Sequence, residues 1–334
     1  MRSIFSSVAL TLLGGCALLW GFEERTLERD TSAGGNGTSS SSSSSSTTGG
    51  NGGTPTTGGG GSGETGGDGG APSIDVLLVA DGDKNAVGIY DPFDGHYLGT
   101  DLIPPFQGTE AYTFSFVYHA AQGPDGRIYV VDPIEAAVLA FHPSGEFDEI
   151  FVEDLVGVTS VAFRDGDVFV SVKVTETSVV ARFDVSGQRL DDFIANGSPD
   201  EIRPEHIHFL PNKTMLMSHT GTPEQIRRYD VSGPPFNFVF TPDFATQVVS
   251  DSAGGILTAE LGAYRSHSSA GVEQVSVAAS VAGGIWELGN GHWLATDADG
   301  VVEVDPVAME VIEEIRVGTG YWKIGSATLP ALPE

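Results

Sequence analysis

Gly123-Pro124-Asp125-Gly126-Arg127-Ile128-Tyr129-Val130-Val131-Asp132 reads as a polar turn, an apolar run and one polar side chain closing the run. The pattern recurs without gaps over residues 164–172, 211–219, 252–260 and 289–297, and a truncated copy is Leu77-Leu78-Val79-Ala80-Asp81. The closing positions, Asp81, Asp132, Val172, His219, Glu260 and Asp297, polar in every copy but that at Val172, lie 51, 40, 47, 41 and 37 residues apart. That spacing is the period of four-stranded propeller blades. Six copies over residues 74–334 leave about 43 residues per blade, enough for four short strands and their turns.

A second marker follows the third strand of each repeat: Asp91-Pro92-Phe93-Asp94-Gly95, His142-Pro143-Ser144-Gly145, Asp184-Val185-Ser186-Gly187, Asp230-Val231-Ser232-Gly233 and Asp305-Pro306. The Asp side chain bonds nearby backbone and Gly supplies a positive φ, the chemistry of a hairpin turn. Blade five lacks the marker, so residues 262–269 are expected to form a loop. Runs such as Val161-Ala162-Phe163 and Val168-Phe169-Val170 are apolar throughout, as for sheets buried on both faces, and no stretch has helical periodicity. The first repeat starts at its second strand, and Trp322 to Leu329 is a strand in surplus after the sixth repeat. The expected fold is all-β, a six-bladed propeller whose C-terminal strand becomes the innermost strand of blade one and removes its open edge.

Ahead of the propeller lie two segments of different character. Residues 1–22 carry Arg2 and then an uncharged stretch from Ile4 to Phe22, the form of an export signal. The chain's one cysteine, Cys16, follows Leu13-Gly14-Gly15 there. This resembles a bacterial lipoprotein signal, which implies lipidation at Cys16; the alternative is an uncleaved membrane anchor. Either reading makes the protein exported and membrane-attached, periplasmic or at the cell surface. Residues 23–73 are dominated by Gly, Ser and Thr, with an unbroken serine run from Ser39 to Ser46, and read as a disordered tether reaching about 35–40 Å. The remainder has no thiol, so disulfides, thiolate metal sites and cysteine nucleophiles are excluded.

The chain has 16 Lys and Arg against 45 Asp and Glu; without the three arginines and six acids before position 73, 13 oppose 39 and the net charge is −26. Nucleic acid is not an expected partner of such a surface, and neither are anionic headgroups. Divalent cations and basic partners are allowed.

The blade from His119 to Phe151 resembles an NHL repeat, and Gly291-His292-Trp293-Leu294-Ala295-Thr296-Asp297 is similar to blades of the virginiamycin B lyase type. Both belong to a group of six-bladed propellers that includes gluconolactonase-like enzymes. Counting thirteen residues back from each closing position gives His119, Thr159, His206, Gln247 and Gly284 at the start of each inner strand, near one mouth of the central channel. Imidazoles and carboxylates converging there suit a divalent metal ion or an acid–base pair. The resemblance to virginiamycin B lyase implies that His119, His206 and Glu260 are the metal-binding and catalytic candidates, although that family's Pro-His-Gly run is absent. Neither a phosphate loop nor a Gly-x-Ser-x-Gly nucleophile elbow occurs, and Asp81-Gly82-Asp83-Lys84-Asn85 lacks the later ligands of a calcium loop. Three classes remain: a monomeric module binding a peptide, glycan or protein at a channel mouth, a metal-dependent lyase or lactone hydrolase, and a structural part of an envelope assembly.

Overall fold

The computed structural model describes residues 73–105, 114–174, 177–195, 202–230 and 232–331. The export signal, Cys16 and the tether as far as residue 72 lie outside the described residues, whereas Ser73, at the expected tether's end, already belongs to a strand. Among the described residues all regular structure is β, and no helix there is long and apolar enough to cross a membrane.

Blade one contains β1 (Ser73–Asp81), β2 (Ala86–Tyr90) and β3 (Tyr97–Ile103). Blade two is β4 (His119–Gln122), β5 (Ile128–Asp132), β6 (Ala137–Phe141) and β7 (Phe147–Val152). Blade three is β8 (Val158–Arg164), β9 (Asp167–Val172), β10 (Val179–Phe183) and β11 (Arg189–Ile194), and blade four is β12 (Pro204–Phe209), β13 (Met215–His219), β14 (Gln225–Asp230) and β15 (Gly233–Phe240). Blade five is β16 (Ala245–Ser250), β17 (Ile256–Glu260), β18 (Ala263–His267) and β19 (Glu273–Ala278). Blade six is β20 (Gly284–Glu287), β21 (Trp293–Thr296), β22 (Gly300–Asp305) and β23 (Glu310–Val317). The last strand, β24 (Tyr321–Pro330), completes blade one in the order β24-β1-β2-β3. Its pairing with β1 runs antiparallel from Ser73↔Pro330 to Asp81↔Tyr321. The inner strands touch in the circular order β24, β4, β8, β12, β16, β20 and back to β24, so the ring is closed as the surplus strand predicts.

Each blade interface holds one apolar cluster, which is why the strands are apolar on both faces. On β5, Ile128 and Val130 pack with Leu78 and Ile89 of blade one, while Tyr129 and Val131 pack with Val158 and Val168 of blade three. Every apolar residue of β5 is therefore consumed by one interface or the other. The polar residues closing these strands hold the turns: Asp132 Oδ1 accepts the N–H groups of Ile134 and Glu135, each at 3.1 Å, and Asp297 Oδ1 accepts those of Asp299 and Gly300.

The hairpin marker has a second use. A Cβ on Gly145 would lie 1.8 Å from the Leu102 carbonyl oxygen, and one on Gly187 2.6 Å from that of Phe151, so each hairpin presses its glycine against the outer strand of the preceding blade. Blade five departs from the expected loop. Residues 263–267 form β18, and the turn after it is Ser268-Ser269-Ala270-Gly271, with Ser268 Oγ accepting the Val272 N–H at 3.1 Å. Serine here replaces the expected aspartate, and Gly271, at φ 82°, again faces the preceding blade at Val239 O.

Candidate functional site

The ladders fix which inner-strand residues are equivalent around the channel. The residue just before each closing position pairs with His119 on β4, Ser160 on β8, His206 on β12, Gln247 on β16 and Gly284 on β20. The equivalent in blade three is thus Ser160 and not Thr159, because the spacing there is one residue shorter; Thr159 falls in the bulge before it. Blade one draws its inner strand from the chain's other end, where Lys323 sits in the bulge opposite Ala80, between the Val79↔Ile324 and Asp81↔Tyr321 pairs.

These side chains tie each blade to the next, at the residue following the partner's own ring position. His119 Nδ1 accepts the Val161 N–H at 3.3 Å, and Ser160 Oγ accepts the Ile207 N–H at 3.2 Å. His206 Nδ1 donates to Val248 O at 3.0 Å, and Gln247 Oε1 accepts the Ile285 N–H at 3.2 Å. Gln247 also holds β24, accepting the Ile324 N–H at 3.0 Å and donating to its carbonyl at 2.6 Å. Gly284 leaves space for that glutamine, since a Cβ there would lie 2.7 Å from both Gln247 Oε1 and Trp322 O.

Across the channel lies a fully buried ionic centre. Lys323 Nζ donates to Thr159 O and Glu205 O, both at 2.8 Å, and to Glu205 Oε1 at 3.0 Å; neither side chain has any exposed surface. Three acceptors require an ammonium carrying all three protons. Glu205 Oε1 also accepts the Tyr118 hydroxyl, and Lys173 Nζ pairs with Oε2. Burial alone would raise the Glu205 carboxyl, but Lys173 and Lys323, with the hydrogen bonds of Lys173 and Tyr118, hold it at about 2. Burial pulls Lys323 down to about 8, with Glu205 opposing the shift. The Tyr118 ring lies 3.9 Å from Nζ, and Trp322 packs beside it, its ring centroid 5.1 Å from that of Tyr118 and 5.7 Å from that of Phe116.

His119 and His206 do meet, their rings edge to face with centroids 5.2 Å apart. Burial, then Lys323 and His208, lower His119 to about 3, and burial with His119, Lys323 and His208 places His206 well below its ordinary value, so both are neutral. Since His206 Nδ1 donates to a carbonyl, its Nε2 carries the lone pair, and that atom is buried with no hydrogen-bond partner. Glu260 does not join them as a free ligand. Its Oε1 accepts from Thr258 Oγ1 at 2.6 Å with His267 Nε2 at 3.6 Å, and its Oε2 accepts from Arg265 Nη1 and the Asp243 N–H, both at 2.7 Å.

Among the described residues, the one set of three His, Cys, Asp or Glu side chains with ligand atoms within 4.8 Å of one another is Asp91, Asp94 and His96, exposed or half-buried on a turn. His119, His206 and Glu260 are not such a set. A divalent ion thus finds one pre-oriented imidazole, His206, while the carboxylate carried over from the resemblance is already saturated. Lys323 and Glu205 escaped sequence reading: Glu205 lies one residue from the counted His206, and Lys323 becomes visible when the count is extended to the closing strand.

No protein-family model matches the chain, and no curated protein matches it. Solved structures do. A chain of the nidogen/laminin complex superposes with a TM-score of 0.61 at 12% identity, covering 76% of this chain and 98% of that one. A gluconolactonase from Xanthomonas campestris gives 0.48 at 14% identity, covering 66% and 83%, and a virginiamycin B lyase from Staphylococcus aureus gives 0.46 at 11%, covering 62% and 69%. Identities this low carry architecture alone, and the architecture agrees with the six four-stranded sheets: the protein is an all-β six-bladed propeller, similar in fold to that chain of the nidogen/laminin complex.

Proposed function

We propose that the protein is an exported, membrane-tethered binding module, held by lipid on Cys16 or by an uncleaved anchor, that takes a peptide, glycan or protein partner at the channel mouth. One observation carries this reading. Apart from the lone pair on His206 Nε2, the polar groups described at the channel are spent on holding blades together: Lys323 has used its three donors, both Glu205 oxygens are taken, and Gln247 bridges blades five, six and one. A catalytic group needs a proton or lone pair it can offer to substrate. Close to the buried ionic centre, Phe116 and Trp322 stay half-buried, an aromatic pair suited to recognition.

The alternative, a metal-dependent lyase or lactone hydrolase, is favoured by the buried lone pair on His206 Nε2, whose other nitrogen is fixed by a carbonyl as in metal-bound imidazoles. A divalent ion there would act as a Lewis acid. The chain's contribution would be His206 as the oriented ligand and Lys323 as a fixed positive charge nearby.

Two measurements on the full-length protein separate the readings. Peptide and glycan arrays should give a ligand lost on Trp322→Ala, and calorimetry with zinc, manganese, magnesium and calcium should show no stoichiometric binding. Tight stoichiometric binding of one metal, abolished by His206→Asn, would replace the module with the enzyme. Tethering is checked by mass spectrometry of the mature N-terminus: Cys16→Ser should abolish lipid labelling.

A further inference from the structure

Fourteen large apolar side chains stand exposed among the described residues, and five fall within eleven consecutive positions. They are Val307, Met309, Val311, Ile312 and Val317, exposed by 90, 61, 43, 44 and 75%. Val307 and Met309 belong to the last hairpin of blade six; the others are on β23, the outermost strand, and among the described residues no strand lies beside its outer edge. The register makes Ile312 the extra residue of a bulge, since Val311 and Glu313 face the adjacent pair Val304 and Glu303. Two successive apolar side chains, Val311 and Ile312, thereby reach solvent together.

Between and beside them stand Glu310, Glu313 and Glu314, all exposed. Arg316, the one cation of the strand, is turned onto Asp101 at 2.9 Å and does not neutralise them. Open edges in soluble proteins are usually guarded by lysine or proline. Like β3, β7, β11 and β19, β23 has neither proline nor lysine; what sets it apart is the row of exposed apolar side chains interleaved with glutamates.

We propose that β23 and the hairpin before it form a docking surface for a segment of another protein in which Lys or Arg alternates with apolar residues. The charge pattern selects this occupant. A two-fold-related second copy would bring like-charged strips against each other, and an anionic bilayer is repelled by the same glutamates and by the domain's net −26. A basic, apolar segment covers the exposed hydrophobes and meets the three carboxylates, and the acidic field steers its approach. This surface is independent of the channel mouth and of whatever binds there.

The test uses the full chain and a synthetic peptide of four Lys-Val repeats with blocked ends, followed by fluorescence anisotropy and backbone hydrogen exchange. Slowed exchange should be confined to residues 307–317. Glu310→Lys/Glu313→Lys/Glu314→Lys should weaken binding by about tenfold or more, and Val311→Ser/Ile312→Ser should weaken it comparably, with both variants melting close to the parent. Protection spread over the whole acidic surface, or equal affinity in the charge-reversed variant, reduces the effect to general attraction and overturns the proposal. Self-association lost on Ile312→Ser would make the occupant a second copy, which also overturns it.

Discussion

Lys323 is the residue whose placement costs most, because a buried ammonium forfeits its hydration and must regain it from protein oxygens. It recovers three acceptors, one of them charged, from blades three and four, while itself belonging to blade one. Lys323→Met leaves Glu205 and two carbonyls short of a donor at the channel centre, and should cost about 3–5 kcal/mol in urea unfolding. Lys323→Met/Glu205→Leu should recover part of that loss; a single variant within about 1 kcal/mol of the parent would mean the pair is ornamental. The buried imidazoles set a second dependence. Burial lowers His119 to about 3, and burial with Arg227 and Arg203 lowers His219 to about 4. The unfolded chain therefore takes up protons first, near pH 6.5, and the stability present above that value is lost as pH falls towards 4. Melting temperature should drop across this window by more than the carboxylates alone explain. His219→Asn, which keeps an acceptor for the Arg203 N–H, should flatten part of the slope; an unchanged slope would show that His219 titrates normally.

At the scale of the element, hairpin glycines separate two demands that a sequence does not distinguish. Gly126 and Gly145 both sit in blade two with φ near 85°, but a Cβ at Gly126 meets nothing within 4 Å, whereas at Gly145 it runs into Leu102 O. Gly126→Ala should cost about 1 kcal/mol, from backbone strain alone. Gly145→Ala carries the same strain and must also push blade two from blade one, so its loss in chemical denaturation should be clearly larger; equal losses would contradict the inter-blade contact. The hairpins were legible where an Asp or His-Pro announced them, and illegible in blade five, where Ser268 takes the same part. His267, expected in a loop, is instead 3% exposed on β18, stacked 3.9 Å from Phe240 and close to Glu260, so its removal should destabilise the blade. The site was half legible for a related reason. Counting along the chain finds His119 and His206, because equal spacing means equal register, but slips from Ser160 to Thr159 where one residue is missing. Glu260 satisfied the residue type a metal needs, yet the partners that engage both its oxygens, Thr258, Arg265 and the backbone of Asp243, have no signature in spacing.

Over the whole molecule, closure decides whether six marginal sheets become one body. A single blade buries neither face alone, and the six interface clusters exist only when the ring is complete. The strand that completes it, β24, is held by its ladder to β1, by Gln247 from blade five, by Thr296 Oγ1 donating to Trp322 O from blade six, and by Lys323 reaching blades three and four. Removing residues 321–334 therefore strips a cross-channel anchor together with a sheet edge, exposing Leu77 and Val79 of β1 beside the unfilled channel. The truncated chain should be aggregation-prone and lack a cooperative melting transition. A synthetic peptide of residues 318–334, added during refolding, should restore solubility and the transition, because strand and anchor are supplied together. The same peptide with methionine in place of Lys323 should restore far less, since it offers the ladder without the ammonium. If both peptides rescue equally, closure is a matter of edge pairing and the channel lysine is incidental to it. A truncated chain that melts like the parent would show that the ring closes without β24.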